Sequence, residues 1–387
     1  MSTKSTLNVI AAYDKVCAEK AELAQEGSNF AADRNAVARQ IRKLHPKRLT
    51  LTVGEIIRET STACSLRLLS DDGSPLPPFQ AGQYINLFLT VDGVETARPF
   101  AISSAPQSRD YYDVTVRSVP GGFVSPYMVG EMFEGQILQS SGPMGSFYYN
   151  PLFHGGDLVF LAGGSGVAPA MSMIRDIINK KRPLNFHLIY GSRSTDDIIF
   201  RQQLQALAEQ HDFLTVDEVI SEPDADYTGH TGYLSAEMIQ RLTGDVDGKM
   251  FYLCGPNAMY DFCKPELEKL GVPGRRVRIE ANGPPPAPQK LTGWPQGLET
   301  SKEVTVTVRG RGQFKMPVGE PLLNAMERNG YQAENACRSG ECSLCRVKVL
   351  SGDVFNPPQS HLRSSDRTFG WTHACVAFAL SDIEILI

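Results

Sequence analysis

The chain has 387 residues, 42% hydrophobic and 21% charged, with a formal net charge of -5. That is material for two to four folded units of ordinary globular composition, and it excludes the basic footprint that a nucleic-acid partner requires. No apolar run approaches the roughly 18 residues of a membrane span, and positions 1–28 are too charged for a secretory leader, so the expectation is a cytoplasmic protein with reduced thiols.

In residues 1–48, Ile10, Tyr13, Val16, Cys17, Ala21 and Ala24 recur at helical spacing, and a second helix is predicted over 31–44 after Gly27-Ser28-Asn29. Nine Lys or Arg stand against five acidic residues here. Arg34, Arg39, Arg42 and Lys43 of the second helix read as a solvated face in preference to a docking face, and no catalytic role attaches to this extension.

From Leu49 the texture changes. Short β-rich runs at 49–53, 84–89, 112–118 and 136–140, separated by Gly, Pro and Asp clusters, predict a small antiparallel barrel over 49–150. Over 151–283, strand-like 158–162, 185–190, 214–220 and 250–254 alternate with helix-like 170–180 and 198–211, the order of a parallel α/β sheet. Around 282–301, with a linker placed at 284–301, Pro284, Pro285, Pro286, Pro288 and Pro295 predict an extended, stiff connection. A last unit, 302–387, opens with Val304, Val306 and Val308 alternating with Thr, as a half-buried strand does.

Of eight cysteines, Cys17, Cys64, Cys254 and Cys263 are scattered and read as buried thiols by default. Cys337, Cys342, Cys345 and Cys375 instead give C-x4-C-x2-C with a distant fourth cysteine, the plant-type 2Fe-2S spacing. One tightly wrapped loop supplies three thiolates, and the small Ser339, Gly340 and Ser343 let backbone N–H groups point at the sulfurs. Zinc is the competing reading, but zinc sites generally come as two C-x2-C pairs and this segment has one. Residues 302–387, including the stretch 369–375 before the last ligand, resemble a plant-type ferredoxin domain, which implies an α+β β-grasp fold and a packed, non-ligating His373. Free-standing plant ferredoxins are strongly acidic, whereas this unit has ten basic and nine acidic residues. A tethered domain needs no charge to find its reductase.

Arg98-Pro99-Phe100-Ala101-Ile102-Ser103-Ser104 lies on a strand of the expected barrel, where an arginine can pair with a flavin phosphate and an aromatic two residues on faces the same side. Gly121-Gly122-Phe123-Val124-Ser125 follows as a glycine turn whose N–H groups can hold a pyrophosphate, and Gly142-Pro143-Met144-Gly145 closes the barrel. Leu161-Ala162-Gly163-Gly164-Ser165-Gly166-Val167-Ala168-Pro169 links a strand to a helix, with Pro169 where a Rossmann fingerprint has its third glycine. Tyr190-Gly191-Ser192-Arg193 and Cys254-Gly255-Pro256-Asn257-Ala258-Met259 end two further strands.

In this order the motifs resemble the ferredoxin-NADP reductase superfamily over 49–283. The resemblance implies that Arg98, Pro99, Phe100, Ala101 and Ser103, with Gly121, Gly122, Val124 and Ser125, bind a flavin, FAD in preference to FMN. It implies that Gly163, Gly164, Ser165, Gly166, Pro169, Tyr190, Gly191, Ser192, Arg193, Cys254, Gly255, Pro256 and Met259 receive NAD(P)H, with Cys254 near the nicotinamide. Ala101 departs from the family, which usually places Ser or Thr there against the reactive flavin nitrogen. Ser192 and Arg193 suit a 2′-phosphate while Asp196 and Asp197 repel one; NADH is the preferred coenzyme and NADPH stays open.

Nicotinamide gives two electrons together and an iron-sulfur cluster accepts one, so a flavin stands between them. No side-chain acid or base is assigned. The domain order resembles the reductase components of Rieske-type and related oxygenases, which implies an oxygenase as the acceptor. A non-catalytic electron-transfer or redox-sensing subunit, a reductase for an anaerobic metalloenzyme, and a diaphorase running in reverse use the same residues.

Overall fold

The computed structural model describes residues 13–26, 36–280 and 283–387; Ile10, the Gly27-Ser28-Asn29 break, residues 31–35 with Arg34, and Asn282 lie outside the described residues. Two units separate, residues 1–47 and 48–387. The first carries α1 (Tyr13–Glu26) and α2 (Ala36–Leu44), whose Arg39, Arg42 and Lys43 are exposed.

In the second unit the barrel comprises β1 (Leu49–Arg58), β2 (Ala63–Ser70), β3 (Tyr84–Val91), β4 (Val94–Ala101), β5 (Tyr111–Arg117), the short α3 (Ser125–Gly130) and β6 (Ile137–Ser140). They form one antiparallel sheet in the order β4-β3-β6-β1-β2-β5. Alternate residues supply its core: Leu51 and Val53, Leu66 and Leu68, Ile85 and Leu87, Tyr112 and Val114. β2, absent from the predicted strands, alternates Cys64, Leu66 and Leu68 with Ser65 and Arg67, whose side chains bond to Thr115 and Asp113 on the other face.

The next ten elements are β7 (Asp157–Gly163), α4 (Val167–Lys180), β8 (Asn185–Ser192), α5 (Arg201–Gln210), β9 (Leu214–Ile220), β10 (His230–Thr231), α6 (Ala236–Thr243), β11 (Met250–Cys254), α7 (Asn257–Lys269) and β12 (Val277–Glu280). The sheet is wholly parallel, ordered β10-β9-β8-β7-β11-β12. Phe160, Leu188 and Tyr252 point to one face and join α4, while Leu161, Ile189 and Leu253 point to the other with Ile239 and Cys263 of α6 and α7. A strand buried on both faces must be apolar throughout, as β11 is.

Two helix starts differ from expectation. α4 begins at Val167, not 170, because Pro169 falls in the first turn, where no N–H is needed. α5 begins at Arg201, not 198: Ile198, Ile199 and Phe200 are buried in the sheet core, and Phe200 adopts φ 62°, which no helix continues through.

The last unit holds β13 (Glu303–Val308), β14 (Gly312–Pro317), α8 (Leu322–Arg328), β15 (Arg346–Ser351), β16 (Val354–Phe355), α9 (Ser364–Thr368), β17 (Trp371–His373), β18 (Phe378–Ala379) and β19 (Ile383–Leu386). Its mixed sheet runs β14-β13-β19-β15-β17, with β13 and β19 parallel, and α8 buries Leu322, Leu323, Ala325 and Met326 on it, the expected β-grasp. The proline-rich segment is not extended throughout. The Trp294 ring lies 5.3 Å from Phe355 and 6.0 Å from Phe378, and Leu298 also packs on the ferredoxin core, so apolar burial overrides proline stiffness there. Among the described residues no helix is long and apolar enough to cross a membrane.

Candidate functional site: one cleft shared by three domains

Between α8 and β15 the chain wraps a loop in which Arg338 (φ 53°), Gly340 (φ 86°) and Ser343 (φ 59°) adopt left-handed backbone. At Gly340 glycine is required, since a Cβ would stand 3.0 Å from Val376 and 3.1 Å from Ser360. The turn aims the N–H of Ser339 and of Cys342 at the Cys337 sulfur, at 3.5 and 3.3 Å. Cys342 and Cys375 adjoin Cys337, and Cys345 adjoins Cys375, so the four thiols gather around one loop. Among the described residues no three His, Cys, Asp or Glu side chains converge on a single ion. Cysteines spaced C-x4-C-x2-C with a distant fourth, the first of them met by two backbone donors, suit two irons better than one zinc. His373 is fully buried with Nδ1 2.9 Å from the Ser360 carbonyl, as expected of a packed residue.

Beside this loop opens a cleft of about 1280 Å³. Its walls are the end of β4 (Arg98, Pro99, Phe100, Ala101), the turn into α3 (Gly122, Val124, Ser125), the β7–α4 loop (Gly163, Gly164, Ser165, Gly166, Pro169), the end of β8 (Gly191, Ser192, Arg193) and the β11–α7 loop (Cys254, Gly255, Pro256, Met259). Cys337, Arg338 and Cys375 of the ferredoxin domain complete it. The nicotinamide-loop glycines serve each other as well as a ligand: a Cβ on Gly166 would lie 2.0 Å from the Cys254 carbonyl oxygen, and one on Gly163 2.7 Å from the Met259 sulfur.

Charge and unmet hydrogen bonds suit anionic dinucleotides. Arg98 donates to Thr96 and to the Ala97 carbonyl (2.8 Å) and lies 3.7 Å from Glu327; burial pulls its guanidinium down to about 10, leaving it charged at neutral pH. Ser192 Oγ is buried without a hydrogen-bond partner on the cleft wall, where a ligand hydroxyl satisfies it. Arg193 has Glu222 at 3.9 Å.

Four expected residues stand off the wall. Ser103 follows the last residue of β4 by two, and its N–H bonds the Asp113 carbonyl at 2.8 Å, which turns the hydroxyl inward onto Thr115 at 3.0 Å. Gly121 sits at φ 72° on the exposed side of its turn. Tyr190 is fully buried behind the loop, its hydroxyl donating to the Gly164 carbonyl at 2.8 Å and accepting from the Ile199 N–H at 3.2 Å. Asp197 is paired with Arg117 and accepts from Thr62 Oγ1 at 2.8 Å, so its charge is spent before it meets a coenzyme.

Other cleft residues carried no local signal. Tyr84, directly opposite Ala101 in the β3–β4 register, lines the cleft and packs on Ala336, Cys337 and Cys342. Glu280, at the end of β12, has its carboxyl pushed up to about 8 by burial and then by Glu341 and Cys337 nearby, so it holds a proton at neutral pH.

Residues 49–149 match the oxidoreductase FAD-binding domain family, 160–265 the oxidoreductase NAD-binding domain family, and 306–380 the 2Fe-2S iron-sulfur cluster binding domain family. The chain is 28% identical over 320 residues to the glycine betaine monooxygenase reductase subunit of Pseudomonas aeruginosa, covering 79% of this chain and 87% of that protein. It is likewise 28% identical to the ferredoxin reductase component of the 3-ketosteroid-9-alpha-monooxygenase of Mycolicibacterium smegmatis, over 86% of this chain and 95% of that one. In fold it is similar to phthalate dioxygenase reductase, with a TM-score of 0.64 and 21% identity, over 88% of this chain and 97% of that structure. An FAD-binding barrel, an NAD-binding domain and a 2Fe-2S domain in this order, opening on one cleft, make the chain an electron-transferring oxidoreductase that belongs to the ferredoxin-NADP reductase superfamily fused to a plant-type ferredoxin domain.

Proposed function

We propose that this reductase is the electron-donating component of an oxygenase, working in the cytoplasm with NADH as preferred coenzyme. The observation that carries the reading is that flavin-type, nicotinamide-type and cluster-ligating residues share one cleft. Two relatives whose names identify them as reductase parts of monooxygenases add the acceptor class.

In this reading the working units are 49–150, 151–283 and 302–387. Arg98 and the turn Gly122, Val124 and Ser125 hold flavin phosphates, and Pro99, Phe100 and Ala101 flank the ring. Ser103, Gly121 and Tyr190 brace these walls from behind. Gly163, Gly164, Ser165, Gly166 and Pro169 let the coenzyme approach the backbone, Gly191 and Ser192 meet its ribose, and Cys254, Gly255, Pro256 and Met259 bound the nicotinamide. Glu222 supports NADH, because a carboxylate beside Arg193 repels a 2′-phosphate and accepts a ribose hydroxyl. Cys337, Cys342, Cys345 and Cys375 hold the cluster. The bound groups turn a two-electron donation into single-electron delivery, and the protein's part is alignment.

The test mixes anaerobically reconstituted holoprotein with a purified oxygenase component from the same organism and its substrate, and then admits dioxygen. NADH-dependent product formation is expected. Ferricyanide reduction without any turnover of that oxygenase leaves the reductase standing and removes the oxygenase from the proposal.

A further inference from the structure

We propose that Glu327 is a positioning residue that docks the cluster loop on the flavin-binding barrel, by sharing one carboxylate between Arg98 of the barrel and Arg338 of the loop. The inference rests on the functional reading above and goes beyond it, since it concerns what keeps the two redox sites together.

Glu327, at the C-terminal end of α8, is 4% exposed, and Arg338, which follows the ligand Cys337, is 5% exposed. Arg338 donates to Glu327 Oε1, to Thr96 Oγ1 at 3.3 Å and to Asn324 Oδ1 at 3.1 Å. Thr96, on β4 and itself buried, donates to Glu327 Oε2 at 2.8 Å, and Arg98 reaches the same oxygen at 3.7 Å. One carboxylate thus sits between two cations that come from different domains. The two guanidiniums repel each other, so their close approach needs the anion.

Neutral contacts join the two domains as well. Asn86 donates to the Asn335 carbonyl at 2.9 Å, Gln332 donates to the Glu95 carbonyl at 3.3 Å, and Tyr84 packs on Ala336, Cys337 and Cys342. Arg98 and Arg338 both line the cleft, so the trio of two cations and one anion presents one surplus positive charge to it, fitting a phosphate. A phosphate can then engage Arg98 while Glu327 keeps Arg338 and the loop in place. Loss of the carboxylate puts two unmatched cations at the seam and separates Cys337 from Tyr84.

The test uses full-length holoprotein carrying Glu327→Gln or, separately, Thr96→Val, which removes the hydroxyl that donates to Glu327 and accepts from Arg98 and Arg338 without changing charge. Anaerobic rapid mixing with NADH is followed at the flavin and cluster absorption bands, and small-angle scattering reports compactness. We expect flavin bleaching within about twofold of wild type, cluster reduction slowed about tenfold or more in Glu327→Gln and less in Thr96→Val, and a larger radius of gyration in Glu327→Gln. Wild-type cluster reduction in Glu327→Gln, or equal slowing of both bands with unchanged scattering, overturns the proposal. If Glu327→Gln does not fold, Thr96→Val decides: a selective lag at the cluster supports the dock and its absence refutes it. Failure of wild-type NADH to bleach the flavin strikes the functional reading instead.

Discussion

At the scale of single residues, the cleft's chemistry depends on groups whose environment has changed them. The Glu280 carboxyl ionises near 4.5 when unfolded but holds its proton to about 8 in the folded chain. The folded state therefore binds that proton more tightly, and its stabilising contribution is complete below pH 4.5 and lost as pH rises toward 8. Melting temperatures of the apoprotein from pH 5 to 8 should accordingly show Glu280→Gln gaining on wild type as pH rises; parallel curves would mean the carboxyl is ionised in the fold. Ala101 makes a second case. Placed on the cleft wall without a hydroxyl, it leaves room for a hydrogen bond that Ala101→Ser supplies. Such a bond, about 0.5–1.5 kcal/mol, corresponds to a shift of about 10–30 mV in a two-electron potential, read by redox titration. An unchanged potential shows that position 101 does not touch the ring.

At the scale of elements, the loops matter through what they let approach. The β7–α4 and β11–α7 loops close on each other because Gly166 leaves the Cys254 carbonyl oxygen in the space a Cβ would take, 2.0 Å away. Gly166→Ala should cost about 2 kcal/mol or more of stability, seen in thermal denaturation, together with weaker NADH binding, while iron content stays normal. Full stability in that variant would mean the two loops can part without cost. The glycine and proline pattern made this loop legible in sequence, and so did the alternation of Val304, Val306 and Val308 in β13. What stayed hidden were β2, a short run broken by Ser65 and Arg67, and the start of α5, where buried side chains pull Ile198 to Phe200 into the core. Local pattern reports which residues are apolar, and only packing reports which of them a helix can keep.

At the scale of the whole molecule, function is the meeting of three domains in one cleft. Cys345 and Cys375 are also part of the ferredoxin core, so their replacement tests folding and electron exit together. Cys345→Ser should lose iron, loosen residues 302–387 and abolish NADH-driven reduction of cytochrome c, yet keep ferricyanide reduction, because the flavin and nicotinamide walls lie in other domains. Loss of both activities would show that the cluster domain is needed for the cleft itself. The sequence alone determined the cofactor set, since C-x4-C-x2-C spacing and the order of glycine motifs are local geometry written into one segment each. Only the tertiary structure decided that Asp197 is spent on Arg117, that Tyr84 faces Ala101, and that Glu327 bridges Arg98 to Arg338. Glu327 and Arg98 stand 229 positions apart (327 less 98), and nothing within one stretch of chain records a contact that forms when distant segments fold against each other.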